Sequence, residues 1–314
     1  MKTEFTKSKR SQESIRAPDY YVEIWSDSFL RGLIRNRILL FGDDGIPIVR
    51  YVLTDQRNYY NPSTVSIWGF YNLKKYIKQG KRENLSFIRR CLEWLCDNSE
   101  ETDYGGLVWR YSMAWPEHGL KPGWMSGMAQ GLGISLLLRG SVLFKNPEYV
   151  EVAEKSFLPM TVSVVEGGVS IIKDDFYWME EIPSKNPSFV LNGFIFALFG
   201  IYDLYTFTGK DLYKTWFDRA TSTLVRLLPK YDLGTWSRYD LGLKVVRSKS
   251  NLLLSRVLPN AAEMHNIASP TYNVIHISQL KKLYELTGIQ QFKYFSRKWS
   301  LNPLRYTEFL ASLV

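Results

Sequence analysis

Two adjacent carboxylates, Glu180 and Glu181, follow directly on the run Phe176-Tyr177-Trp178-Met179 and precede Ile182-Pro183. A carboxylate set in an aromatic wall is poorly solvated, so its pKa rises and it can take or give a proton near neutral pH. A solvated loop pair beside a proline is the plainer reading of the same residues. Tyr239 and Tyr272 lie in polar, basic company rather than on apolar periodic faces, unlike most of the 20 tyrosines. A phenol keeps its proton to high pH. It therefore donates readily, and it acts as a base only where cations stabilise the phenolate. Arg238 and Arg110 are available for that, and an arginine can also clamp a carboxylate bidentately.

Other polar groups accompany these. Asn192 interrupts an apolar helix and suits a satisfied core amide and a ligand contact equally. Tyr111 follows Arg110. Asn58-Tyr59-Tyr60-Asn61-Pro62 reads either as a sugar-stacking loop presenting Tyr60 or as an ordinary turn. Asn260, Asn273 and His276 add amide and imidazole groups further along. For His276 capping or core packing is the bland alternative, while His118 and His265 fall in polar loops and read as exposed. A metal centre is not expected. The chain has three histidines, and its two cysteines, Cys91 and Cys96, stand five apart in an apparent helix without a CxxC. No GxGxxG, P-loop, GxSxG or HExxH is present, which removes support for dinucleotide, nucleotide, serine-hydrolase and zincin chemistry.

A frame must hold these groups. At 314 residues with 45% apolar and 23% charged content, the chain is an ordinary globular one, and wholesale disorder is excluded. Aromatics stand out at 15%, as in proteins that line sugar- or base-stacking grooves, although aromatics also fill cores. The balance of 40 basic against 31 acidic residues gives +9, which points to an anionic partner. Nucleic acid fits the charge but has no motif behind it. Residues 1–16 read as a disordered basic tail with no apolar stretch, so no signal peptide is expected. The most apolar run, 189–202, reads as shorter than a membrane span needs and contains Asn192. A cytoplasmic chain is the default expectation.

The periodicity predicts a small β segment over 17–62. Within it a hairpin is expected around Gly42-Asp43-Asp44-Gly45, followed by helical structure over 63–314. Helix pairs are predicted to break at Gly80, Asn146, Gly209 and Gly288, at near-regular spacing, and 204–209 (LYTFTG) echoes 283–288 (LYELTG). The period is long for a simple helical array and leaves room for functional loops. The expected class is therefore mainly α, an (α/α) toroid of helical hairpins with a small N-terminal β segment and inserted β-hairpins. One inserted hairpin is predicted where 161–165 and 169–172 flank Glu166-Gly167-Gly168.

The loops also carry a resemblance. LKPGWMSGMAQG at 120–131, WMEEIP at 178–183, PSFVLNGF at 187–194 and GIYDL at 200–204 resemble the C-terminal domain of the D-glucuronyl C5-epimerases. LPKYD at 228–232, Tyr239-Asp240-Leu241, Pro259-Asn260 and Tyr272…HISQL at 276–280 continue the match over roughly residues 45–300. The resemblance implies an (α/α) toroid, a cofactor-free epimerisation of glucuronate to iduronate and a cleft for a uronate-containing polysaccharide or glycan. It leaves a homodimer open. It also implies a catalytic glutamate at Glu181 and catalytic tyrosines at Tyr239 and Tyr272. Tyr60, Arg110, Tyr111, Asn192, Arg238, Asn260, Asn273 and His276 are the expected substrate contacts. The sequence departs from the family where Ile182 replaces a tyrosine, and where no arginine follows Tyr239. The alternatives are a uronate-polysaccharide lyase and a non-catalytic binder of acidic glycans.

Overall fold

The computed structural model describes residues 27–51, 57–242 and 266–301. The 1–16 tail, the basic positions between Lys244 and Arg256, Asn260 and His265 lie outside the described residues. A short helix α1 (Asp27–Arg35) leads into a three-stranded antiparallel sheet of β1 (Leu39–Phe41), β2 (Pro47–Arg50) and β3 (Asn58–Tyr60), in that order. The β1–β2 turn falls where the acidic-glycine run predicts it. The Asp44 carboxylate accepts from the Ile46 N–H at 2.9 Å, and Gly45 takes φ 74°. The third strand was not foreseen, because 58–61 reads as loop. Its last residue runs straight into Asn61, which caps the next helix by accepting from the Thr64 N–H.

Four helical hairpins follow. They are α2 (Pro62–Gln79) with α3 (Arg82–Asp97), α4 (Gly127–Phe144) with α5 (Glu148–Lys155), α6 (Leu191–Thr208) with α7 (Asp211–Leu227), and α8 (Pro270–Thr287) with α9 (Gln290–Ser300). The first member of every pair is 18 residues long, about 27 Å. Gly80, Gly209 and Gly288 end three of them in the left-handed conformation at the predicted breaks. The fourth break also falls where predicted, with Asn146 and Pro147 between α4 and α5. The left-handed cap of α4 is Lys145 at φ 53°, one residue before Asn146. Helix α8 also begins two turns earlier than its apolar pattern suggests, because Ser269 caps it and Pro270 fits its first turn. The polar residues 271–276 therefore lie on a helix rather than before one.

The long helices α2, α4, α6 and α8 pack side by side in chain order, and α3, α5, α7 and α9 back them from outside. The sequence distinguishes the two layers. Helices α4 and α6 are apolar all round and buried on nearly every face, whereas the backing helices are amphipathic. By length and composition α4 and α6 could each cross a membrane, but 78% and 72% of them is buried inside the protein. Sequence reading understated that apolar length by stopping at Tyr202. The α4–α6 seam is the most extensive helix contact. It is close because Gly131 and Gly200 face each other. A Cβ on Gly200 would come within 2.5 Å of the Gly131 Cα. Further along the same seam, Arg139 forms a bidentate pair with Asp203 at 2.6 and 3.2 Å.

The segments joining the hairpins carry the remaining strands, the first of them a short antiparallel pair, β4 (Glu100–Glu101) with β5 (Leu107–Val108). The hairpin predicted over 161–172 is displaced along the chain. Instead β6 (Ser170–Lys173) pairs with β7 (Phe176–Met179) about Asp174-Asp175. Residues 158–161 and 164–166 are short 3₁₀ turns. Strand β7 packs on α7 and delivers Glu180 and Glu181 to the N-terminal ends of α4 and α6.

Candidate active site

The segment 176–194 is built around one buried carboxylate. Glu180 is fully buried, and its Oε2 accepts from the Ser188 N–H at 3.1 Å and the Ser188 hydroxyl at 2.7 Å. The Phe189 N–H approaches both of its oxygens, at 3.1 and 3.3 Å. These bonds hold Phe189 at φ 54°, a left-handed conformation that a bulky residue adopts only under constraint. The chain then enters α6 through Asn192 and Gly193. Trp178, stacked on Phe194 at 3.8 Å, fixes the same corner from the apolar side. Burial pushes the Glu180 carboxyl up to about 7 against those hydrogen bonds.

Glu181 points the other way. Among the described residues its Oε2 is buried with no hydrogen-bond partner. It lies where a Cβ on Gly193 would be, 2.1 Å from that position, so only glycine there leaves it room. Burial, and then the negative charges of Glu180 and Asp240, push its carboxyl up to about 8. The groups that feel the Glu181 charge are four tyrosines, namely Tyr51, Tyr111, Tyr239 and Tyr272. Tyr239 and Tyr272 arrive from the α7–α8 connection and the first turn of α8. Their rings are 4.6 Å apart, and their hydroxyls interact. Burial, then the Glu181 charge, pushes Tyr272 up to about 12, and burial holds Tyr239 well above its ordinary value. Tyr272 keeps 37% exposure, so this pair opens to solvent on the Tyr272 side.

Tyr111 belongs to a second apolar cluster with Met113, Trp124 and Ala129, and Tyr51, Tyr59 and Trp115 pack against it. Tyr111 stacks on Trp124 at 4.0 Å, and its hydroxyl meets Ser63 at 2.8 Å. Sequence reasoning missed Tyr51. It sits after β2, in a run that reads as ordinary strand, and tertiary packing alone turns it inward. Its hydroxyl accepts from the Asn61 side chain at 2.6 Å, and burial pushes it up to about 12.

The other expected residues distribute differently. Asn192 is buried at the start of α6, and its Oδ1 has no partner. Arg238 neighbours Asp240 and lowers that carboxyl, which burial nevertheless pushes up to about 6. Asn273 and His276 are buried behind the tyrosine pair and bonded to Ser237. Tyr60 is not brought to Glu181. It faces outward beside Trp94, with its hydroxyl 3.5 Å from Asp44. Nor does Arg110 reach the centre as a free clamp, because its guanidinium binds Glu100 at 2.9 Å and the Gly123 carbonyl at 2.8 Å. Among the described residues no group of three or more His, Cys, Asp or Glu could hold a metal ion.

Such an arrangement suits proton transfer at a carbon. It offers a poorly solvated carboxylate, pushed up to about 8, within electrostatic reach of several phenols.

Comparison with known proteins adds to this geometry. Residues 100–301 match the family model described as D-glucuronyl C5-epimerase C-terminus. The chain is 30% identical over 203 residues to a D-glucuronyl C5-epimerase of Caenorhabditis elegans, covering 59% of this chain and 32% of that protein. It thus spans about a third of the length of this curated relative. Among solved structures, cellobiose 2-epimerase from Spirochaeta thermophila superposes with TM-score 0.53 at 10% identity, covering 89% of this chain and 72% of that one. The α-mannanase BT2949 of Bacteroides thetaiotaomicron does so with TM-score 0.54 at 10% identity, covering 90% and 72%. Both show the fold alone, an (α/α) toroid.

Proposed function

We propose a reaction for this chain from one premise, which is that it belongs to the D-glucuronyl C5-epimerase C-terminal family. The reaction is inversion of C5 of D-glucuronate to L-iduronate within an acidic polysaccharide. The observation that carries this reading is the Glu181 carboxylate, its Oε2 buried and unpartnered, facing the Tyr239–Tyr272 pair.

The C5 hydrogen of a uronate lies alpha to a carboxylate. Removing it builds negative charge on that carboxylate, and inversion needs a base on one face and an acid on the other. Glu181 serves as the base. Burial raises its proton affinity and leaves one oxygen without a competing partner. Tyr272 returns a proton from the other face, and Tyr239, with its ring 4.6 Å away, is placed to stabilise the transient phenolate. Glu180, by contrast, is saturated with hydrogen bonds and acts as a brace. Ile182 is buried at 3% exposure and offers no hydroxyl, so the tyrosines of other segments carry the proton-donor role. Glu180 and Asp240 already make the centre negative, so the substrate carboxylate requires a cation, and Arg238, whose charge reaches Asp240, is a candidate on the same segment.

The test is exchange. In heavy water the protein should incorporate deuterium at C5 of a glucuronate polymer without shortening it. New unsaturated chain ends would mean elimination instead. Binding with neither change would leave a glycan-binding protein.

A further inference from the structure

We infer that Ser237, Asn273 and His276 form a buried clamp that sets the separation of Tyr239 and Tyr272, which makes them positioning residues rather than sugar ligands. The clamp joins two stretches of chain that meet only in the folded protein. Ser237 lies two residues before Tyr239, and Asn273 directly follows Tyr272. Exposure of Ser237, Asn273 and His276 is 0%, 2% and 0%.

The direction of each hydrogen bond is determined. The Ser237 backbone N–H can only donate, and it meets the Asn273 side chain at 3.1 Å, so the facing atom is the amide oxygen. The amide nitrogen then points to the Trp299 carbonyl at 3.4 Å, as observed. The Ser237 hydroxyl gives its single proton to the same Asn273 oxygen at 2.8 Å. Its oxygen must therefore accept from His276 Nδ1, also at 2.8 Å. That fixes His276 as the neutral tautomer protonated on Nδ1, with Nε2 a bare acceptor. Among the described residues Nε2 is buried with no partner, so no acceptor is there to hold a proton on it. Burial holds the imidazolium form down to about 3, in keeping with a permanently neutral ring.

The rest of the Ser237–Tyr239 backbone is pinned as well. The Ser237 carbonyl accepts from the Ala268 N–H, the Tyr239 N–H donates to the Asn266 carbonyl, and the Tyr239 carbonyl accepts from the Leu191 N–H. Tyr239 is thus tied to α6, which carries the Gly193 pocket for Glu181, while Asn273 ties it to the helix that carries Tyr272. The 4.6 Å ring separation follows from these bonds.

Two measurements test the clamp. The first does not depend on the proposed reaction. Nitrogen NMR of the histidine side chains around neutral pH should show His276 protonated on Nδ1 and bare on Nε2. Ser237→Ala should abolish that preference. The opposite tautomer in the unaltered protein would overturn the bond order. The second measurement rests on the epimerase reading and applies once C5 exchange by the unaltered protein has been seen. Misplacing one phenol by about 1 Å should lower the saturated exchange rate of Ser237→Ala by about ten- to a hundredfold. KM should change little, and Ser237→Thr should recover most of the rate. A merely structural role would lower the folded fraction and leave the rate per folded molecule unchanged, and that result would sink the proposal. If the unaltered protein exchanges no C5 hydrogen, the epimerase reading falls and the tautomer decides the clamp alone.

Discussion

Glu180 and Glu181 share a peptide bond, yet one carboxylate accepts from Ser188 and Phe189 while the Oε2 of the other is buried with no partner. Strand β7 alternates its side chains between two faces, and the pair inherits that alternation. One glutamate braces the entry to α6, and its neighbour keeps the bare oxygen that the proposed reaction uses.

Replacing the two should therefore give opposite phenotypes. Glu181→Gln keeps the shape but cannot accept a proton, so C5 exchange should fall by about 10²–10⁴-fold while the protein melts at or above its usual temperature. Glu180→Gln turns an amide toward N–H and O–H donors and should cost about 1–3 kcal/mol, read by denaturant unfolding. A Glu180→Gln protein of unchanged stability would contradict the bracing role.

Stability should fall with rising pH across the near-neutral range. The folded pKa values of Asp240, Glu180 and Glu181 stand at about 6, about 7 and about 8, all above the unfolded range. The folded state therefore binds more protons than the unfolded one. The stabilisation is complete below the ordinary carboxylate range and is lost as pH rises through about 8. Removing one titrating group by Glu181→Gln should flatten the decline, as measured by Tm against pH. Exchange activity should rise over the upper part of the same window as the base ionises. The groups interact, so the limb belongs to the set.

Gly193→Ala separates foldability from activity. Alanine favours a helix interior over glycine by about 0.5–1 kcal/mol, so α6 itself gains. The new methyl would overlap the Glu181 side chain, whose Oε2 and Cβ lie 2.1 and 2.6 Å away, and expel the carboxylate from its pocket. The expected result is a folded protein with exchange reduced at least as far as by moderate misplacement of a catalytic group. Normal activity in that variant would show that the Glu181 position is not critical.

The Arg139–Asp203 pair tests the frame rather than the site. Asp203→Asn leaves a guanidinium in the α4–α6 seam without its charge partner and should cost about 3–5 kcal/mol. Arg139→Met combined with Asp203→Leu should recover much of that loss, as read by denaturant midpoints.

The sequence by itself determined the layered helical frame, because glycines at 80, 209 and 288 punctuate long apolar runs and such punctuation acts locally. The family resemblance of its loops singled out Glu181, Tyr239 and Tyr272 as candidates. Local pattern failed where structure depends on distant partners. The hairpin moved from 161–172 to 170–179 because Tyr177 and the β7 backbone dock on α7, with the Tyr177 N–H donating to Thr223. Tyr51 looked like strand filler until Asn61 and the Tyr111 cluster gathered around it. Which glutamate is bonded and which is bare was likewise decided only by the tertiary structure. A carboxylate's environment is set by whatever folds against it, here Ser188, Phe189 and Gly193, and nothing in two consecutive glutamates distinguishes them.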